Sequence, residues 1–152
     1  MELVIRNAED TDWATIAEFN RALATETEDK TLDWETLVSG VRRILADTGK
    51  GRYFVAETEG RIVGATMVTY EWSDWRDGWI WWIQSVYVTP DRRGYGVFGR
   101  LYRHVLSNAR EAGVGTVRLY VLGSNTRARA IYEKLGMHET GYAVLETATA
   151  TD

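Results

Sequence analysis

Residues 79–106 read WIWWIQSVYVTPDRRGYGVFGRLYRHVL, and this stretch decides the fold of the 152-residue chain. Its first ten residues are apolar enough to form a strand that is covered on both faces. Pro90, the only proline in the chain, cannot donate a hydrogen bond to a neighbouring strand and therefore ends it. Apolar residues then recur with the period of a helix at Val97, Phe98, Leu101, Tyr102, Val105 and Leu106. The glycines in between mark the point where a strand passes into the first turn of a helix.

The turn before this helix has the features of a phosphate site. Free backbone N–H groups and the positive end of the helix dipole converge there, and Arg92 and Arg93 add two guanidinium groups. Gly94, Gly96 and Gly99 also match the G-x-G-x-x-G fingerprint of dinucleotide-binding proteins. That fingerprint follows its strand at once and is followed by an acidic residue about 20 positions later. Here residues 89–93 intervene, and the next strand ends in VLGS without an acid, so the context argues against a dinucleotide.

The same residues resemble the acyl-CoA-binding motif of the GNAT superfamily of N-acyltransferases. Members carry a Val/Leu-x-Val strand end, a short link, and Arg/Gln-x-x-Gly-x-Gly/Ala at the start of a long helix. Residues 86–88 (VYV) and 93–98 (RGYGVF) follow this pattern, except that Phe98 replaces the usual small residue and Gly99 comes one place later. The resemblance implies that acetyl-CoA, the acyl donor, is bound by Val86, Tyr87, Val88, Arg92, Arg93, Gly94, Tyr95, Gly96, Val97, Phe98, Gly99, Asn125 and Tyr132.

The remaining elements follow in the order that is typical of this family. Periodicity and turn signals predict β-α-α-β-β-β-α-β-α-β, with residues 137–146 as the last strand. Residues 117–121 must run parallel to the central strand, because a helix crosses over between them. We therefore expect an α/β fold (a mixed α+β sheet) that is GNAT-like and mostly antiparallel. The resemblance adds a parallel, splayed pair of strands at the cofactor site and about four flanking helices. Residues 1–147 are expected to form one acyl-CoA N-acyltransferase domain, and residues 148–152 a frayed tail.

A second motif supports the resemblance and supplies a candidate acid. Asn125, Ala128 and Tyr132 are spaced as in the family's helix that flanks the thiol of CoA. The resemblance makes Tyr132 the general acid for the departing thiolate; a phenol has a pKa of about 10, against about 8.5 for a thiol. It also implies that backbone amides near Ser85 and Val86 form an oxyanion hole. The alternative for Tyr132 is an ordinary core tyrosine.

The general base is not at the family's usual position. Many members place a glutamate on the central strand, where this chain has Gln84 and Ser85, and an amide cannot accept a proton from an amine. The candidate bases are therefore Glu26 and Glu28, between the first two helices, and Glu71, at the end of the strand beside the central one. For each of them the alternative, which the sequence favours, is an ordinary solvated carboxylate. A base that acts through water, or no base, is the further alternative.

Aromatic residues are concentrated around the start of the central strand. Five of the seven tryptophans fall between Trp72 and Trp82. Indole faces together with Glu71, Asp74 or Asp77 would bind an amine cation in an acceptor pocket. The alternative is packing in the hairpin and the core, and the alternation of a strand predicts some tryptophans on each face.

Composition and charge exclude several classes of function. The chain has no cysteine and two histidines, so neither a disulfide framework nor a metal site is expected. A net charge of −4 argues against a nucleic-acid binder, and no stretch resembles a membrane span or a signal peptide, so the cytoplasm is the expected location. Residues 1–91 hold 9 basic and 17 acidic side chains, whereas residues 92–152 hold 9 and 5. An amine acceptor and an anionic cofactor would suit this asymmetry, and ordinary surface charge explains it as well.

The sequence thus predicts an acetyl-CoA-dependent N-acetyltransferase. It would move an acetyl group to a primary amine of a small molecule or a protein, by direct attack in a ternary complex. One alternative is a non-catalytic acyl-CoA-binding or sensor module, which the missing central-strand glutamate favours. An NAD(P)-binding oxidoreductase is disfavoured by the context of the glycines. The partners expected are acetyl-CoA and the amine, with a homodimer left open and neither nucleic acid nor membrane involved.

Overall fold

The computed structural model describes residues 2–150 and divides the chain into two compact units, residues 1–120 and 121–152. The elements are β1 (Val4–Asn7), α1 (Trp13–Glu28), α2 (Trp34–Ala46), β2 (Arg52–Thr58), β3 (Arg61–Ser73), β4 (Gly78–Val88), α3 (Val97–Glu111), β5 (Val117–Leu119) and α4 (Thr126–Lys134). Two short 3-10 turns, Asp10–Asp12 and Pro90–Arg92, precede α1 and α3. The first unit holds a five-stranded sheet in the order β1-β2-β3-β4-β5 and three α-helices, and the second holds α4.

The sheet is mixed, as predicted. Strands β1 to β4 pair antiparallel, whereas β4 and β5 are parallel and are joined through α3. Strand β5 pairs only with Trp81, Trp82 and Ile83 of β4. Beyond Ile83, β4 continues to Val88 with β3 as its ladder partner. Within residues 2–150, the segment 84–88 is therefore paired with β3 along one edge and is no longer paired with β5 along the other. This separation of β4 from β5 is the predicted splay.

An irregularity in the ladder lies where this splay begins. Met67 is paired with Ser85, but its neighbour Val68 is paired with Ile83, so Gln84 is the extra residue of a β-bulge. The amide nitrogen of the Gln84 side chain donates to Thr69 Oγ1 at 2.9 Å. A bulge bends its strand and breaks the local pairing, and this one directly follows Ile83, the last residue of β4 that is paired with β5.

Helices cover the two faces of the sheet. Ile16 and Ala17 of α1 and Val41 of α2 are buried against Tyr53, Val55 and Ala65 on one face. Val97 and Leu101 of α3 are buried against Ala56 and Val63 on the other face. The face under α1 and α2 is called the α1 face below, and the opposite one the α3 face.

The prediction of a last strand at residues 137–146 was wrong. Residues 137–150 form no regular strand, and Tyr142, Val144 and Leu145 are exposed. An alternating pattern indicates that a segment can pair but does not supply the neighbouring edge, and β-propensity depends strongly on such a neighbour. Of the predicted frayed tail, residues 148–150 lack regular structure, and residues 151 and 152 lie outside the described residues.

Candidate active site

The glycine turn, residues 93–96, positions the start of α3. Gly94 and Gly96 have φ angles of +85° and +82°, and Gly96 is the residue that precedes the first helical residue, Val97. A Cβ atom at either glycine would meet nothing within 4 Å, so it is the left-handed backbone and not crowding that requires glycine here. The first amides of α3 have no acceptor within the helix and are available to a ligand.

Phe98 does not fill the turn. Its ring lies 6.5 Å from that of Tyr102, one turn further along α3, with the two planes only 8° apart. The bulky residue in the place of the family's small one thus stacks along its own helix. Tyr95, at the tip of the turn, is exposed.

Arg93 is held by two groups from other elements. Its Nη2 donates to Glu26 Oε2 at 2.8 Å, and its Nε donates to the backbone oxygen of Val88 at 3.0 Å. The hydroxyl of Tyr87 donates to the other oxygen of Glu26 at 3.3 Å, and the Arg93 guanidinium lies 5.4 Å from the centre of the Tyr87 ring. Burial, and then the negative charge of Glu26, raise the pKa of Tyr87. This set is called the Arg93 cluster; it ties the glycine turn to the end of α1.

Arg92 points to a different part of the structure. Its guanidinium lies 3.8 Å from the carboxylates of Glu59, in the β2–β3 turn, and Asp91. Asp91 also accepts a hydrogen bond from Arg61 at 2.6 Å. The two arginines that precede the glycines therefore contact different elements, Arg92 the β2–β3 hairpin and Arg93 the end of α1.

The end of β4 presents the segment predicted to bind the pantetheine arm. Val86 and Val88 pair with Thr66 and Gly64 of β3, and Tyr87 is buried on the α1 face. The backbone oxygen of Ser85 accepts a hydrogen bond from Thr66 Oγ1 at 2.8 Å. Since β5 has already ended at Leu119, the second edge of this segment can pair with an extended ligand as a further strand would.

The tryptophans are divided between the faces, as the alternation predicts. Trp81 is the cross-strand partner of Tyr70. The guanidinium of Arg52 lies 5.9 Å from the ring centres of both Trp81 and Phe54. The ring of Phe54 in turn lies 5.0 Å from that of His104 in α3. Trp81 therefore lies on the α3 face. Trp72 and Trp79 pair on that same face and are half exposed, while Trp75 is 90% exposed in the turn that also contains Asp74 and Asp77.

Trp82 lies on the α1 face. It contacts Glu71, Arg118 and Tyr120, and these four side chains are called the Trp82 cluster. Its Nε1 donates to Glu71 Oε1 at 2.8 Å, and its ring stacks on Tyr120 at 4.5 Å. The guanidinium of Arg118 lies 5.8 Å from the indole centre. Sequence reasoning missed Arg118 and Tyr120. The signal was the alternation over residues 117–120, in which Arg118 and Tyr120 alternate with the apolar Val117 and Leu119; Tyr120 directly follows the end of β5.

The three candidate bases are not brought together. Glu26 belongs to the Arg93 cluster, with both of its oxygens accepting hydrogen bonds, and Glu71 belongs to the Trp82 cluster. Glu28 ends α1 and forms an exposed ion pair with Lys30 at 3.2 Å. Gln84, where the family usually has a glutamate, is exposed and hydrogen-bonded to Thr69.

The second unit contains the remaining two predicted residues. The side chain of Asn125 accepts a hydrogen bond from the Ala128 amide at 3.1 Å and so caps α4. Tyr132 is on the second turn of α4, and its backbone oxygen accepts from the amide of Met137 at 3.0 Å. Burial raises the pKa of the Tyr132 phenol, which keeps it protonated throughout the neutral range.

Residues 2–150 contain no group of three or more His, Cys, Asp or Glu residues arranged to hold a metal ion. They also contain no helix with the length and the hydropathy needed to cross a bilayer.

Comparisons with known proteins agree with this geometry. The sequence matches the model of the Acetyltransferase (GNAT) family over residues 11–137. The crystal structure of a possible acetyltransferase from Clostridium difficile 630 is 41% identical, with a TM-score of 0.93 over 99% of this chain and 100% of that one. The thialysine N-epsilon-acetyltransferase of Bos taurus is 31% identical over 78 residues, 51% of this chain and 45% of that protein, so this chain spans less than half of that relative.

A third relative shares the fold. The aminoglycoside N-acetyltransferase AAC(6')-Iy, solved in complex with CoA, has a TM-score of 0.82 at 16% identity, over 98% of this chain and 96% of that one. The match to the family model, the similarity to the solved acetyltransferase and the fold all indicate the same family. The chain belongs to the GNAT acetyltransferase family.

Proposed function

We propose that the protein is an N-acetyltransferase that moves an acetyl group from acetyl-CoA to a primary amine by direct attack in a ternary complex. The observation that carries the proposal is the open edge of β4 at residues 84–88, which the short 3-10 turn Pro90–Arg92 joins to the glycine turn. An open strand edge followed by free helix amides suits a ligand with an extended amide-bearing arm and a pyrophosphate. Members of this family generally use acetyl-CoA, and the aminoglycoside relative was solved with CoA.

The residues on β4 and α3 fit such a ligand. The backbone of Val86 and Val88 would pair with the pantetheine arm, and the amides that follow Gly96 would bind the pyrophosphate. Arg92 and Arg93, which precede the glycines, would add charge-assisted hydrogen bonds. We also propose that residues 1–147 act as one acyl-CoA N-acyltransferase domain, because the family match at residues 11–137 runs through both compact units.

The transfer forms a bond from the amine nitrogen to the acetyl carbon and breaks the bond from that carbon to sulfur. The amine loses one proton and the thiolate gains one, so neither an oxidant nor a metal is required. Amides near Ser85 and Val86 would stabilise the negative charge on the acetyl oxygen. Tyr132 would give its proton to the thiolate, and the proton of the amine restores the balance through a carboxylate or water.

The proposal is tested by the release of CoA from acetyl-CoA, followed with a panel of amines. We expect release that depends on an added amine, together with an acetylated product seen by mass spectrometry. A panel of small primary amines and amine-bearing peptides that gives no release above the rate of the buffer would overturn the function.

The same assay identifies the base. An amine must lose its proton before it attacks, and a carboxylate base would accept that proton. In the parent, kcat/KM should therefore fall at low pH as the base becomes protonated. We expect this fall to disappear in one of the three variants Glu26→Gln, Glu28→Gln and Glu71→Gln and to remain in the other two. The fall lies on the acidic side because a carboxylate can accept a proton only above its own pKa. Three profiles that overlay the parent would assign the deprotonation to water.

A specific observation favours a second candidate, a non-catalytic acyl-CoA-binding module. Gln84 replaces the usual glutamate, and both oxygens of Glu26 are already engaged by Tyr87 and Arg93. Such a module would bind acetyl-CoA without ever releasing CoA, so the amine panel separates the two candidates.

A further inference from the structure

The Arg93 cluster places a carboxylate and a phenol beside the arginine that begins the glycine turn. Arg93 Nη2 donates to Glu26 Oε2 at 2.8 Å, and the hydroxyl of Tyr87 donates to Glu26 Oε1 at 3.3 Å. The same guanidinium donates from Nε to the backbone oxygen of Val88 at 3.0 Å. These three bonds join the turn to the end of α1 and to the end of β4.

We propose that Glu26 and Tyr87 are positioning residues of the cofactor site, which hold the Arg93 guanidinium ready for the pyrophosphate of acetyl-CoA; this inference rests on the proposed function. Glu26 acts directly, through its bond to Nη2. Tyr87 acts through Glu26 and through its ring. In this role neither residue touches the reacting atoms, so the general base is Glu28, Glu71 or water.

The bonds within the cluster leave Arg93 able to bind an anion. A guanidinium has five N–H donors in a fixed plane, and the bonds to Glu26 and Val88 use two of them. Because the group is planar and rigid, fixing two of its donors also fixes the direction of the others. The side chain of Arg93 is 46% exposed, so it is accessible to a ligand at the glycine turn.

Tyr87 is the buried member of the cluster. It lies on the α1 face, and its ring is 5.0 Å from that of Phe19 in α1. The guanidinium of Arg93 lies 5.4 Å from the centre of the same ring, within the range of a cation–π contact. Tyr87 therefore connects the exposed arginine to an aromatic pair that is packed between the sheet and α1.

The orientation of Arg93 affects binding because a free arginine side chain populates many rotamers. Ordering one such side chain when a ligand binds weakens the affinity by roughly 2–10-fold. In the Arg93 cluster this ordering is already present before acetyl-CoA binds. The negative charge of Glu26 acts in the opposite direction, because it repels the phosphates through space. The two effects can be separated, since the repulsion does not require Arg93 whereas the orienting effect does.

A double-mutant cycle on the Kd of acetyl-CoA makes this separation. Glu26→Ala should raise the Kd about 2–10-fold more in the parent than in the Arg93→Ala background, where there is no guanidinium to orient. Equal effects in the two backgrounds would overturn the inference. A fall of the Kd that is confined to the parent would also overturn it, because Glu26 would then compete with phosphate for Arg93.

Matched variants separate the bond to Arg93 from the charge of Glu26. Glu26→Gln keeps an oxygen that can accept from Arg93, so its Kd should lie nearer to the parent value than that of Glu26→Ala. Tyr87→Phe keeps the ring, and its smaller effect should vanish in the Glu26→Ala background; an effect that persists there would contradict the route through Glu26. Glu18→Ala, which breaks the exposed ion pair with Arg21 on the same helix, is the control and should leave the Kd unchanged.

Steady-state constants distinguish a positioning residue from a base. A contact to the pyrophosphate is equally strong before and during the transfer, so Glu26→Ala should raise the KM for acetyl-CoA and leave kcat unchanged. The fall of kcat/KM at low pH should also remain. A lower kcat with an unchanged Kd would make Glu26 a catalytic residue and overturn the inference, while the acetyltransferase function would stand. A parent protein that binds no acetyl-CoA would overturn both.

Discussion

Tyr132→Phe should slow the chemical step by roughly 10²–10⁴, the usual contribution of a positioned proton donor. The change keeps the ring and removes only the hydroxyl, so the Kd of acetyl-CoA should change little. Burial raises the pKa of Tyr132, and a donor with a raised pKa holds its proton throughout the neutral range in which the thiolate departs. Single-turnover rates and the Kd, measured separately, check both statements.

An exposed tyrosine in the same unit provides the control. Tyr142 is 79% exposed, and Tyr142→Phe should leave both the rate and the Kd unchanged. If Tyr132 is only a packing residue, Tyr132→Phe should instead cost about 1 kcal/mol of stability and leave the rate intact. Full activity of Tyr132→Phe, with chemistry shown to limit the rate, would assign protonation of the thiolate to solvent.

Arg93→Ala should weaken the binding of acetyl-CoA by about 1.5–3 kcal/mol, the value of a charge-assisted hydrogen bond to phosphate. The parent should also show the steeper rise of Kd with salt, because the variant has one fewer charged contact to screen. Titration calorimetry at two salt concentrations measures both effects.

Folding should survive this change. The side chains of Arg93 and Glu26 are 46% and 40% exposed, and an ion pair of that kind contributes about 0–1 kcal/mol. Arg110→Ala, in the last turn of the same helix, is the matched control and should bind acetyl-CoA as the parent does. An unchanged Kd of Arg93→Ala at low salt would remove Arg93 from the phosphate site.

The features that could be predicted from the sequence are those that a few neighbouring residues determine. The glycines before α3, the turn at Glu59 and Gly60, and the cap of α4 at Asn125 all stand where local conformational chemistry requires them. Glu59 and Gly60 have φ angles of +51° and +72°, which a two-residue hairpin turn needs. The parallel direction of β5 followed from the crossover helix α3.

The features that could not be predicted depend on residues far apart in the chain. Glu26 and Arg93 are 67 positions apart, and no local pattern indicates that one binds the other. Arg118 reaches Trp82 only through the register of β5 on β4, and the bulge at Gln84 appears only in the pairing with β3. The wrong strand at residues 137–146 has the same origin, because alternation alone does not specify a pairing partner.

The fate of a labelled acetyl group tests the central claim most directly. The protein is incubated with acetyl-CoA labelled in the acetyl group and with the panel of small primary amines and amine-bearing peptides in excess, and the label is then located after separation. We expect the label on the amine nitrogen, with one free CoA thiol for each acetyl group transferred. Catalysis would be contradicted if the protein bound acetyl-CoA but the label left CoA no faster than in the protein-free control. That result would indicate a binding module instead.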